Sequence, residues 1–396
     1  MLIYKSDLKN TLFWLVMLLP FISVNYITST YSWMTTVYAI GRYLVIIVLS
    51  FRLVYYGRGI SVPMILALII IGIAFISSRL NGISMYRVFS YSILFVGLAM
   101  IVDDGMQTDS ISLLRAMVIF FGGLIIANYI FMKMYPDGVS IEHGVKYYLF
   151  GSYNTTIRKL IPGIYCSVLL SFYRKKRITV FPIVLFLLLF LFCLHVWSVT
   201  SSIGLLIFGG AVAFFIFMGK QGPFRYWYFF IGSIILTLIF AVFQNFQVFS
   251  YIIMNILKKD MTLSTRTTVW KTTILMIKNK VIWGYGQVDN ELNRRILGAA
   301  SAHNVYLDAL YFGGIVFLVI LIAVVLIVGR KLQQEYEIET NIVTVASEGL
   351  FCAYFLMWNF EPFADLNSFY VMFAMFTMVY HCNFFVLQEE ILSTRS

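Results

Sequence analysis

Residues 301–314, SAHNVYLDALYFGG, place His303, Asn304 and Asp308 where a long apolar run begins. An imidazole with an ordinary pKa of about 6.5 exchanges protons near neutral pH, so His303 is a candidate base or hydrogen-bond acceptor. Asn304 and Asp308 are four residues apart and share one helical face, while Tyr306 lies three beyond His303. Two polar groups can then orient a ligand while the histidine faces it. The plainer account is an interfacial histidine whose neighbours cap a helix.

Cations cluster just upstream. Residues 247–302 hold Lys258, Lys259, Arg266, Lys271, Lys278, Lys280, Arg294 and Arg295 against Asp260, Asp289 and Glu291, a net +5. Arg266 is the first choice for an anion ligand, because a guanidinium is permanently charged and forks onto phosphate oxygens. Arg158 and Lys159, together with Lys271 and Lys278, are supporting candidates, although basic side chains also snorkel to lipid headgroups. A cationic surface beside a membrane suits an anionic substrate, and a lipid-linked diphosphate fits that depth. Long loops also translocate largely regardless of charge, so rest on anionic lipid is the alternative.

The elements that must position these residues are membrane helices. The chain has 396 residues, 61% hydrophobic and 12% charged, with a mean hydropathy of +0.87, and it carries many runs of about 20 apolar residues. About twelve spans are expected, near 12–29, 36–56, 61–78, 84–102, 112–132, 158–173, 178–197, 202–219, 226–246, 303–328, 342–360 and 368–387. Lys5, Lys9, Arg52, Arg58, the run RKKR at 174–177, Lys220, Arg225, Arg330 and Lys331 then share one side, which the positive-inside rule makes cytoplasmic. Both termini fall on that side, with MLIYKSDLKN leading into a retained first span. Residues 1–396 read as a single integral membrane domain, with 247–302 as a large external loop between spans 9 and 10. In that loop Arg266, Trp270, Ile274, Ile277 and Val281 recur at helical spacing, which predicts an amphipathic helix on the bilayer, stopped by WGYGQ. VFSYIIMNILKK at 248–259 is a second short apolar-faced segment. Cys166, Cys193, Cys352 and Cys382 sit in apolar runs without metal-ligand spacing, and His143, His195 and His381 add none; His381 has no evident partner.

The order R…W…GYGQ followed by HN.YL…L…GG resembles the carboxy-terminal half of the O-antigen polymerase and O-antigen ligase family, the Wzy-type proteins acting on undecaprenyl-diphosphate-linked sugars. FGSYNTTIRKLIPG at 150–163 is similar to the family's entry into a middle helix, and VTSSIGLLIFGG at 199–210 to its Thr-x-Ser segment. The likeness runs over about residues 150–375 and ends in NFEPFADLNSFYVMF. Ser202 and Ile203 stand where many members carry arginine, and Ser-Tyr-Asn replaces Asn-Pro-Asn at the entry. The resemblance implies an all-α bundle related to the C-type glycosyltransferases.

It also implies a reaction. Transfer of a glycan from a lipid diphosphate to a sugar hydroxyl needs a group at the hydroxyl, cations for the leaving diphosphate and exclusion of water. His303 suits the first role and Arg266 the second. Glu361 and Asp365, a close acidic pair, are candidates to bind sugar hydroxyls, Asn154, Asn304, Tyr306 and Asp308 to bind or orient substrate, and Trp270 and Trp283 to stack on sugar rings, although each also has an ordinary structural role. The first outward loop, NYITSTYSWMT, has no acid for a divalent cation, so transfer without metal or other cofactor is expected. Expected partners are the undecaprenyl-diphosphate-linked oligosaccharide, membrane lipids, a flippase and a chain-length regulator, with no nucleic acid, in a bacterial cytoplasmic (inner) membrane. A polymerase of capsular, exopolysaccharide or O-antigen repeat units is the first reading and a ligase of finished chain the second. A secondary transporter also suits twelve helices, but such folds tend to show two related halves, and here the polar features concentrate in two unequal outward loops.

Overall fold

The computed structural model describes residues 5–142, 145–175, 177–220, 222–242, 262–338, 340–363 and 365–381. Fifteen α-helices account for most of them: α1 (Lys5–Leu18), α2 (Asn25–Thr30), α3 (Trp33–Tyr55), α4 (Val62–Leu80), α5 (Met85–Thr108), α6 (Ser110–Met134), α7 (Tyr153–Lys175), α8 (Val180–His195), α9 (Val199–Met218), α10 (Tyr226–Val242), α11 (Thr262–Asn279), α12 (Asn290–Leu297), α13 (Val305–Ile338), α14 (Ile342–Met357) and α15 (Leu366–Tyr380). Six of them, α3, α4, α5, α6, α9 and α13, are long and apolar enough to cross a membrane, and α8, α10, α14 and α15 are shorter apolar helices. The first expected span divides, because Pro20 in the 3₁₀ turn Leu19–Phe21 cannot continue α1 and the chain restarts in α2. Segment 248–259, with Lys258, Lys259 and Asp260, lies outside the described residues, as do His143 and Cys382.

The core is continuous. α14 packs on α9 and α10, α15 on α5, and α6 on α1 and α7, with the rings of Phe95 and Phe373 tilted on one another, Phe351 stacked on Phe376 and Phe369 edge-on to Phe376 in the interior. Among the described residues, a departure from helix occurs between α6 and α7. Ser140–Glu142 (β1), Val145–Tyr148 (β2) and Gly151–Ser152 (β3) form an antiparallel sheet in the order β1-β2-β3, with Tyr147 opposite both Ser140 and Ser152. Their alternation is too short to register in sequence.

The long helix expected after His303 is broken. Gly314 in α13 has φ 65° and ψ −161°, a region essentially restricted to glycine. The turn 281–286 fills the break: Tyr285 and Gly286 donate to the carbonyls of Tyr311 and Phe312 (2.7 and 2.8 Å), and Ile315 donates to Val281 (2.8 Å). Backbone groups lost from the helix ladder are thus repaired by the turn, as buried polar groups require. Gly284 permits the approach, since a Cβ there would lie 2.6 Å from the Tyr311 carbonyl. Gly314→Ala adds about 1–3 kcal/mol of backbone strain and drives a methyl into the Ile282 carbonyl. A clear fall in thermal midpoint and in monodisperse yield is the expected result, and an unchanged midpoint would show that the break does not depend on this glycine.

The opposite end of the bundle is tied by carboxylates on α5. Asp104 pairs with Arg52 at 2.7 Å and Arg58 at 2.5 Å. Asp103 accepts from Ser61 (2.5 Å) and Gln107 (2.9 Å), and its Oδ1 lies 2.6 Å from Nε2 of His381. His381 therefore has a partner and stands at the carboxyl cap of α15, where sequence placed it unpaired inside a span.

Candidate functional site

Helix α11 begins the site. Its apolar face buries Trp270 with Ile274 and Ile277 against Ala302 and Leu307, which is the face the spacing predicts; the helix ends at Asn279, so Val281 belongs to the following turn. Arg266 lies one turn before Trp270 and is carried to the same side, where its guanidinium stands 5.8 Å from the centre of the Phe360 ring.

Trp270 holds the turn that presents His303. Its indole Nε1–H donates to the Ala302 carbonyl at 2.7 Å. The Ala302 N–H donates to Oδ1 of Asp308 at 2.7 Å, and the Val305 N–H to the Trp358 carbonyl at 2.8 Å. Between these ties His303 takes φ 53°, a left-handed conformation uncommon for residues with a Cβ. The half-buried imidazole keeps Nδ1 without a partner among the described residues. Strain held by surrounding bonds, at a side chain left free, is a common property of working sites.

Several candidates make bonds within the fold. Asn304 Oδ1 accepts from Tyr306 and Leu307 N–H (3.1 and 3.2 Å), and its amide donates to Thr237, which donates to Asn359. The Tyr306 hydroxyl is 2.5 Å from that of Ser233, and its ring is edge-on to Trp358. Trp270, 1% exposed, is closed to a sugar. Asp308 shares one oxygen with the turn and leaves Oδ2 without a partner. These bonds have one cause: inside a bundle, side-chain amides and hydroxyls must be hydrogen-bonded by the protein itself.

A second arm comes from α7 and the loop between α14 and α15. Arg158 donates to the Pro362 carbonyl and to Thr155 Oγ1 (3.3 Å) and stands 5.3 Å from the Phe363 ring centre. Glu361, 3% exposed, keeps Oε2 without a partner among the described residues. Burial pushes its carboxyl up to about 7, against the opposing pull of Arg158 and Arg266. Burial, reinforced by the positive charges of Arg266, Arg158 and Arg294, holds the His303 imidazole down at about 4. The two groups thus share a cationic neighbourhood in which both are neutral over a range of pH. Arg294 on α12 was legible only as loop charge; Asp289 caps that helix through the Leu292 N–H (2.7 Å) and Gly298 ends it. Gln287 N–H donates to Ser78 Oγ (2.9 Å), and its side chain meets Leu366 N–H and Asp365, tying the glycine turn to the Glu361 loop. A cleft of about 30 Å³ between Gln287, Ser301, Asp308, Pro362 and Asp365 has room for about one water.

Other candidates lie on α7, on α11 and in the turn that follows α11. Lys159 donates to Asn25 Oδ1 (3.2 Å) and the Phe150 carbonyl (3.4 Å), fastening α7 to α2 and the sheet. Lys271 and Lys278 are exposed along α11, and Trp283 is half-buried in the turn. Asn154 lies in the first turn of α7, and its side chain is outside the described part of the structure.

The middle of the chain is similar to a known family. Residues 184–322 match the family model for O-Antigen ligase. The match supports the O-antigen polymerase and ligase family and runs from α8 into α13, so it contains Arg266, Trp270, Arg294 and His303, while Arg158 and Glu361 lie outside it. A search of curated proteins finds no match to the chain. The apolar helices and this likeness together indicate an integral membrane protein.

Proposed function

We propose that the protein is a polysaccharide polymerase. It joins undecaprenyl-diphosphate-linked oligosaccharide repeat units at the outer face of a bacterial cytoplasmic membrane, within one bundle of twelve spans whose termini both lie in the cytoplasm. The observation that carries this reading is His303, pinned in a left-handed turn with Nδ1 free, beside Arg266, Arg158 and Arg294. The guanidinium groups suit a diphosphate, because they match its oxygens in geometry and offset the charge that grows as it leaves.

In the transfer, the bond between the anomeric carbon of the growing chain and its lipid diphosphate breaks, with the electron pair going to the diphosphate. A new bond forms from that carbon to a hydroxyl of the incoming lipid-linked unit, whose proton passes to His303. An imidazole held at about 4 is a weak base in the empty site. A bound diphosphate offsets the arginine charges and raises it, so proton affinity develops only when the donor is in place. No metal or cofactor enters this scheme; a flippase supplies the substrate and a chain-length regulator limits the product.

Purified protein given lipid-linked repeat units should produce a ladder of multiples. The matched family's description favours a ligase as the second reading. Single units left unextended, together with transfer of preformed chain to a separate acceptor, would replace the polymerase by the ligase. Movement of lipid-linked units across a vesicle bilayer without any new glycosidic bond would remove both.

A further inference from the structure

The bundle carries a second, larger recess at the end remote from His303. It lies between α1, α6, the carboxyl end of α7 and the start of α8, and has a volume of about 640 Å³. Lys175 at its rim is 17 residues beyond Arg158 on α7, about 25 Å along the helix axis at 1.5 Å per residue. It belongs to neither the transfer site nor the ties around Asp103 and Asp104.

Its walls and its rim differ in chemistry. Val118 and Ile119 from α6, Leu170 from α7 and Phe181 from α8 make the walls apolar. The rim has two cations. Arg115 is 16% exposed and gives one terminal nitrogen to Asp7 at 3.1 Å, while its buried Nε has no partner among the described residues. Lys175 is exposed and belongs to the RKKR run at 174–177. The nearby hydroxyls are already engaged: Ser171 Oγ lies 2.9 Å from Thr179 Oγ1 and 3.1 Å from the Arg177 carbonyl, and Thr11 donates to the Asp7 carbonyl at 2.8 Å. The groups left for a ligand are therefore a guanidinium N–H, an ammonium and an apolar trough below them.

We infer that this groove binds an anionic glycerophospholipid, with its phosphate at Arg115 and Lys175 and an acyl chain against Ile119, Leu170 and Phe181. The exposed part of the Arg115 guanidinium, only partly neutralised by Asp7, gains a charge-assisted hydrogen bond to a phosphate oxygen. The recess falls within the roughly 300–1,000 Å³ common for small-molecule sites, and basic pockets between helices on the cytoplasmic side of a membrane suit anionic headgroups. A free phosphate satisfies the rim but leaves the apolar walls uncovered, so the occupant is a lipid.

The test titrates purified full-length protein in neutral detergent with phosphatidylglycerol or phosphatidylcholine and counts retained lipid by native mass spectrometry. Phosphatidylglycerol should be retained at least ~10-fold more tightly, given two cations near the headgroup. The double variant Arg115→Gln, Lys175→Gln should lose that preference. Because Arg115 also pairs with Asp7, Ile119→Trp supplies an independent arm: it fills the trough, leaves every charge in place at a 56% exposed position, and should lower phosphatidylglycerol retention without changing the thermal midpoint. Equal retention of the two lipids by the unmodified protein, or a preference that survives both variants, overturns the inference. Full displacement of phosphatidylglycerol by millimolar inorganic phosphate overturns it in favour of a free-anion site.

Discussion

His303→Ala is expected to lower chain growth by purified protein ~10²- to 10⁴-fold, the usual range for loss of a general base. Expression and membrane insertion should be normal, because the imidazole Nδ1 makes no bond that holds the fold and alanine places the same Cβ in the left-handed position that the turn already accommodates. The same turn offers an internal control. Trp270→Phe keeps an aromatic ring in the buried slot but removes the N–H that fixes Ala302. It should reduce the rate less than His303→Ala and leave donor affinity nearly unchanged, since the indole touches the turn and not the ligand. Arg266→Lys keeps a charge and loses the fork, so it should raise the apparent KM for the lipid-linked donor. Normal polymerisation by the His303→Ala protein would exclude the imidazole from proton transfer, whatever the fate of the other two variants.

Why His303 stood out in sequence, and why its setting did not, follows from the range over which each signal acts. Apolar runs and the Trp270–Ile274–Ile277 spacing are local, and helices with those faces are present. The three ties on the 302–305 turn come from residues 32 positions upstream, six downstream and 53 downstream, separations that no periodicity encodes. Asn304 illustrates the limit: its place on one face of a helix is legible, whereas the cap its oxygen makes on that helix and the buried chain its amide forms with Thr237 and Asn359 are not. Gly314 sits in plain view within LYFGGIV, but the break it permits depends on a turn 30 residues earlier that supplies replacement hydrogen bonds. His381 is likewise legible as a polar residue in an apolar run, while Asp103, which pairs with it, is 278 residues away. The small sheet had no signal at all, being three short strands among long helices.

Glu361→Gln should change the pH dependence of both stability and donor binding, because Glu361 and His303 are displaced in opposite directions. Between about 4 and 6.5 the unfolded chain binds a proton at His303 that the folded protein does not, so this group makes stability rise with pH across that window. Glu361 is raised from 4.5 to about 7, so the folded protein holds the extra proton and its contribution falls as pH rises through that range. Each displacement corresponds to on the order of 3 kcal/mol, at about 1.4 kcal/mol per pKa unit. The two slopes oppose one another from about 4.5 to 6.5, and only the falling one continues to about 7. Removing the carboxyl therefore leaves the rising slope alone: relative to the unmodified protein, the variant's thermal midpoint should climb between pH 4.5 and 7. Donor binding should follow the charge. Above about pH 7 an ionised Glu361 repels a diphosphate held by Arg158 and Arg266, so the KM for the lipid-linked donor should rise with pH in the unmodified protein and stay level in the glutamine variant. Parallel stability profiles for the two proteins would mean that Glu361 titrates like an ordinary exposed carboxylate. A pH-dependent KM retained by the variant would place the group that repels the diphosphate elsewhere, with Asp308 and its unpartnered Oδ2 the next to replace.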